Sequence, residues 1–282
     1  MLFRSLGLAP VTTCTDLLKP GGYGRLPKYL DNLEERMRKQ GVRSVADFVA
    51  SSGGAGPETL ARIVARVTAD PRYRSDSLRP PRKIGRSLAL FDCINCDKCL
   101  PACPNDANFV YEVEPLALDY VNYRVERGTA VPAEGGRFEV HERHQIACFQ
   151  DFCNDCGNCD TFCPEDGGPY LEKPRFFGSL ETFRRHADRD GFHVGTRAGA
   201  VVIWGRLHGA EYRLELDRRA DQAVFTDGRV TLELRHHDRA PVGAAAAPGA
   251  PEGHTLDVGA YLTLALVLDG VLDPRRSHPV NA

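Results

Sequence analysis

The chain has 282 residues, with 36 Lys and Arg against 38 Asp and Glu and a formal net charge of −2. That balance supplies no global field to recruit nucleic acid or an anionic membrane. The length suits about two domains of roughly 150 residues, and the longest strongly apolar run, residues 260–268, is far short of the ~18 residues that suggest a membrane span. The opening "MLFRSLGLAPVTT" has too short an apolar stretch for a secretory signal. A cytoplasmic, reducing compartment is therefore expected, where ten cysteines argue for metal rather than disulfides.

Residues 9–52 read as strand, Gly-rich turn, helix and short helix. Leu26, Leu30, Leu33 and Met37 form a helical stripe, and Gly41 stands where a C-terminal cap belongs. Ser44 and Asp47 resemble a capping box that opens the next turn. A further helix is predicted over 57–69, with Pro57 in its first turn and Leu60, Ile63, Val64 and Val67 facing inward. The stretch "RYRSDSLRPPRKIGRS" reads as an exposed linker, so Arg79, Arg82, Lys83 and Arg86 are taken as solvated rather than phosphate-binding.

Two cysteine runs follow, each of the form C-x2-C-x2-C-x3-C-P. They are Cys93, Cys96, Cys99, Cys103 and Pro104, then Cys153, Cys156, Cys159, Cys163 and Pro164. A tight loop around an iron–sulfur cube offers thiolates at every third residue. Zinc is the alternative, but its sites are tetrahedral and typically pair two short Cys or His motifs rather than three thiols at this pitch before a proline. Cys148 complicates the second run, because with Cys153 and Cys156 it makes C-x4-C-x2-C, the plant-type 2Fe–2S spacing. That reading strands Cys159 and Cys163, so Cys148, like Cys14, is read as a buried structural thiol. Between the runs, residues 109–147 alternate apolar and polar positions around Gly128, Pro132, Gly135 and Gly136. They read as an extended β-insertion and a candidate contact surface.

After the second run, "PRFFGSLETFRRHADRDG" suggests a short amphipathic helix. A β-rich stretch follows, in which Tyr212, Leu214 and Leu216 alternate with Arg213 and Glu215 as a half-buried strand requires. Asp227-Gly228 reads as a two-residue hairpin turn. Residues 240–254, "APVGAAAAPGAPEGH", read as a low-complexity loop. "LDVGAYLTLALVLDGVL" is a helix apolar on nearly every face, hence buried or partner-bound. His236 and His237 are adjacent, so in a strand they point to opposite faces and do not serve one metal.

The paired runs resemble those of bacterial two-cluster ferredoxins. In that family the fourth cysteine of each run crosses to the neighbouring cluster. The resemblance implies one 4Fe–4S cluster on Cys93, Cys96, Cys99 and Cys163, and a second on Cys153, Cys156, Cys159 and Cys103. Upstream, "CTDLLKPGGYGRLPKYL" followed by "LEERMRKQGVRSVADFVA" looks like the last βα unit and trailing helices of dihydroorotate-dehydrogenase-like barrels. With the runs and "CPEDGGPY", residues 5–180 are similar to the iron–sulfur region of bacterial selenate-reductase-type proteins. Those are multidomain relatives of dihydropyrimidine dehydrogenase and of the glutamate synthase small subunit. A barrel needs eight βα units and one is present, so Gly21 and Gly22 by themselves build no flavin site. "GGYGRLP" and "GGAGPE" also lack the strand–GxGxxG–helix context of a dinucleotide fingerprint.

The expected protein is α+β. A barrel-end-like segment spans 1–75 and a linker 76–90. A two-cluster ferredoxin-like domain spans 91–175 with its β-insertion at 109–147, and a β-rich domain with a late buried helix spans 176–282. Its expected function is one-electron transfer within a larger flavoprotein oxidoreductase, with no catalytic residue of its own. Substrate chemistry would fall to FAD or FMN on partner flavoprotein subunits or on missing domains of the same polypeptide, since a one-electron carrier accepts no hydride. The alternative is a structural or interaction module stapled by zinc or by a redox-silent cluster.

Overall fold

The computed structural model describes residues 22–51, 57–71 and 83–281, and the chain divides into two units, Met1–Arg79 and Pro80–Ala282. The strand expected near the N-terminus, Cys14, Gly21 and the linker up to residue 82 lie outside the described residues.

In the first unit, Leu26–Lys39 form α1, Val45–Ser51 form α2 and Pro57–Ala69 form α3. Gly41 adopts φ +70°, and the Val42 N–H reaches back to the Met37 carbonyl at 3.0 Å, closing α1 through a left-handed cap. Ser44 Oγ accepts the Asp47 N–H at 3.0 Å and donates to its carboxylate at 2.6 Å, as the capping pattern predicts. The inward face expected of α3 differs: Leu60 and Val64 are 50% and 49% exposed. The described part of this unit is helical and offers no sheet against which to bury that face fully.

The second unit is built on a nine-stranded sheet in the order β1-β4-β5-β6-β7-β8-β9-β10-β11, with a three-stranded sheet β12-β2-β3 beside it. Its strands are β1 (Asn108–Glu112), β2 (Leu116–Glu126), β3 (Thr129–Val140), β4 (His144–Phe149), β5 (Arg175–Phe176) and β6 (Gly191–Arg197). They continue with β7 (Ala200–Leu207), β8 (Ala210–Asp217), β9 (Gln222–Thr226), β10 (Val230–Arg235), β11 (Pro241–Ala246) and β12 (Thr255–Leu256). The short helices α4 (Cys99–Ala102), α5 (Asn158–Phe162), α6 (Pro169–Glu172) and α7 (Leu180–Arg185) decorate the unit, and α8 (Val258–Val271) fills its centre.

Period-two burial makes the sheet. On β10, Val230, Leu232 and Leu234 are buried while Glu233 and Arg235 are exposed, and Leu214 and Leu216 on β8 face the same core. The apolar α8 needs no partner chain. One side meets the large sheet, where Gly205 leaves room for Leu264 and Tyr261 packs on Phe225 at 5.6 Å. The other side meets β2, where Asn122 Oδ1 accepts the Val258 N–H at 2.9 Å. Each fully buried Leu or Val there contributes about 1.5–3 kcal/mol.

Three expectations change. The boundary anticipated between residues 175 and 176 falls inside β5, because parallel pairing carries the ladder from β4 through β5 to β6. The insertion 109–147 therefore shares its sheet and core with the C-terminal segment, and its β2–β3 hairpin covers α8. Residues 241–246 form the edge strand β11 rather than a loop; backbone pairing on one side suffices there, and an edge tolerates Pro241. Between β9 and β10 the turn holds three residues, Asp227 to Arg229, with Asp227 Oδ1 accepting the Arg229 and Val230 N–H groups at 2.8 and 2.9 Å.

Candidate metal centre

The two cysteine runs fold alike. In the first, Asn95 and Asp97 adopt left-handed backbone conformations at φ 51° and 56°; at the matching places of the second, Asp155 and Gly157 do so at 53° and 74°. Alternation of right- and left-handed residues turns successive N–H groups inward and makes a concavity suited to an anion. The Asn95 N–H points at Cys93 Sγ and the Asp155 N–H at Cys153 Sγ, both at 3.4 Å. The third cysteine lies in a one-turn helix, Cys99 in α4 and Cys159 in α5. The fourth caps that helix in extended conformation, Cys103 at φ −79° and Cys163 at −70°.

One cavity is lined by Cys93, Cys96 and Cys99 of the first run together with Cys163 of the second. Leu88, Ile94, Ile146 and Pro169 supply apolar wall, and Asp97, Glu165 and Lys173 supply charge. Cys103 is not among its lining residues; its sulfur accepts the Ala107 N–H at 3.2 Å instead. In the second run Cys159 is buried, Cys153 half-buried and Cys156 exposed. Cys153 lies near enough to raise the Cys159 thiol pKa, after burial. The expectation that Cys103 completes this second set rests on the resemblance to two-cluster ferredoxins. Among the described residues no three His, Cys, Asp or Glu side chains converge as they would on a single metal ion.

Electrostatics sets the protons. Burial pushes the Cys99 thiol up to about 12, and the neighbouring Cys159, Cys163, Cys93 and Cys96 add to the rise. Burial also raises Cys153, Cys159 and Cys163. Buried thiols such as these hold their protons unless a cation compensates, so metal loading would release protons. Cys148 is fully buried on β4 and its pKa rises through burial and then through Cys153 beside it.

The shell around the first cavity was not legible from spacing. Glu165 is 1% exposed; its carboxylate accepts the Ile94 N–H at 3.1 Å and pairs with Arg86 Nε at 3.0 Å. Asn108 Nδ2 donates to the Cys99 carbonyl at 2.9 Å, and His144 pairs with Asp97 at 2.8 Å. The only sequence signal for Glu165 is its place just after Cys163 and Pro164. Lys83 and Arg86, expected to be solvated linker charges, instead tie the runs together. Lys83 Nζ donates to the Glu165 carbonyl at 2.9 Å and to the Asp160 carboxylate at 3.0 Å, while Arg86 also pairs with Asp92. Backbone bonds from Ile84 to Pro164 and from Leu88 to Asp166, both 2.8 Å, extend the tie. His236 and His237 face different carboxylates, Asp269 and Asp221.

Fold and site together define a mixed α/β chain with a duplicated four-cysteine loop at one end of a long sheet. No family model matches it and no solved structure matches it. Over 99 residues, 35% of the chain, it is 33% identical to "Putative oxidoreductase YgfK" of Escherichia coli strain K12, and equally to the protein of that description from Escherichia coli O157:H7. The matched stretch spans 7% of the length of those relatives. No helix among the described residues is long and apolar enough to cross a membrane.

Proposed function

We propose that the chain is the iron–sulfur component of a multi-cofactor oxidoreductase. It would hold two 4Fe–4S clusters in a ferredoxin-like module and carry electrons one at a time to or from flavin on partner subunits or on further domains. The observation that carries this reading is the cavity in which a thiol of the second run, Cys163, joins Cys93, Cys96 and Cys99 of the first. The donor set fits the group. It is all sulfur, its four thiols line one cavity, and backbone N–H groups point at Cys93 and Cys153 as hydrogen bonds to cluster sulfur do. Similarity to a stretch of a protein described as an oxidoreductase supports the redox part of the reading.

The bound groups would supply one-electron capacity; this chain's residues would hold them and shape their surroundings. Anaerobically prepared protein is expected to contain about eight iron and eight acid-labile sulfide per chain, as two cubanes imply. Zinc in their place, with no visible absorption bleached by dithionite, would sink the proposal.

A further inference from the structure

Lys173 is 2% exposed and lines the cavity that gathers Cys93, Cys96, Cys99 and Cys163. Its ammonium donates to the carbonyls of Ala89 and Asp92, both at 2.8 Å. An ammonium has three N–H donors. Two are spent on these carbonyls, and the third has no protein acceptor among the described residues. Nor does any carboxylate among them lie within ion-pairing distance of Lys173, for Glu165 and Asp92 pair with Arg86. A buried charge is costly unless an opposite charge compensates it. Among the described residues the buried ammonium therefore keeps one donor without an acceptor and forms no ion pair, although Glu165 and Asp97 also line the cavity.

We propose that Lys173 is the counter-charge to an anionic cluster held by Cys93, Cys96, Cys99 and Cys163, and that it raises that cluster's reduction potential. The inference rests on the iron–sulfur reading above. Reduction adds one negative charge to a thiolate-bound cluster, and a fixed positive charge in poorly polarisable surroundings favours the more negative form. Lys173 thus acts on the cluster through space, as a tuning residue rather than as a ligand.

The test uses the whole chain, prepared anaerobically, as wild type and as Lys173→Met, Lys173→Gln and Lys173→Arg. Iron and sulfide are counted first. Each protein is then poised with dithionite, which gives up one electron per cluster reduced with no bond made or broken in the protein, and both potentials are read by paramagnetic resonance. In the Met and Gln variants one of the two potentials should fall by at least a tenfold change in the reduction equilibrium, about 59 mV for one electron. The other should stay in place, and Lys173→Arg should return the first toward wild type. Unchanged potentials in iron-replete Met and Gln variants would overturn this inference alone. Loss of iron from both neutral variants would overturn it too, by making the lysine a structural requirement. A wild-type protein without iron and sulfide would overturn the cluster reading and this inference with it.

Discussion

His278 shows how a single side chain can make this fold sensitive to acid. Its ring stacks on Phe109 with centroids 4.6 Å apart, and its Nε2 is buried without a hydrogen-bond partner. Burial lowers its pKa below the ordinary value of 6.5. The unfolded chain therefore binds the proton more readily, so stability is fully present above 6.5 and declines as pH falls toward the depressed folded value. Urea midpoints compared at about pH 7.5 and about pH 5 should differ less in His278→Phe, which keeps the stack and removes the titrating group. An equal difference in both proteins would show that another group carries the acid sensitivity. At the candidate metal centre, the eight cysteines stand out in the sequence because the proposed chemistry demands one atom type at a short pitch. Glu165 and Asn108 do not stand out, because their roles come from neighbours 71 and 9 residues away in sequence.

At the scale of elements, the proposed function has the two loops exchange their fourth cysteines. Under the proposed function, Cys163→Ala should damage the cluster expected on Cys93, Cys96 and Cys99. Cys103→Ala should damage the one expected on Cys153, Cys156 and Cys159, and Cys148→Ala should leave both intact. Cluster-resolved resonance spectra on the three variants distinguish these outcomes; loss of a cluster in Cys148→Ala would favour the 2Fe–2S spacing instead. The central helix α8 makes a separate prediction. A Cβ on Gly270 would lie 2.6 Å from the Glu112 carbonyl oxygen and 2.8 Å from the Tyr111 ring. Gly270→Ala should force the helix off β1 and destabilise the protein by about 1–3 kcal/mol, the usual cost of overpacking. Chemical denaturation measures it, and an unchanged midpoint would mean that the helix end yields freely.

For the whole molecule, the proposed role places the source of electrons outside the chain. No dinucleotide fingerprint follows any predicted strand, and a one-electron carrier accepts no hydride. The purified chain should be reduced by dithionite but stay oxidised with NADH or NADPH until a flavoprotein partner is added. Stopped-flow absorption with and without candidate partners checks this, and rapid reduction by NAD(P)H of the flavin-free chain would reveal a nucleotide site within it.

The sequence alone determined the local features: the paired cysteine runs, the capped helices α1 and α2, the alternating strands β8 and β10, and the all-apolar α8. These depend on residue type and short-range spacing, which set backbone conformation and one-sided burial directly. Only the tertiary structure decided which segments share a core. It joined β4 to β6 across an expected domain boundary, made an alanine-rich stretch into an edge strand, and covered α8 from both sides. It also brought Lys83, Arg86, Glu165 and Lys173 around the first cavity. Long-range backbone pairing and buried charge compensation are satisfied by whatever lies adjacent in space, and a linear pattern of residues carries little record of that adjacency.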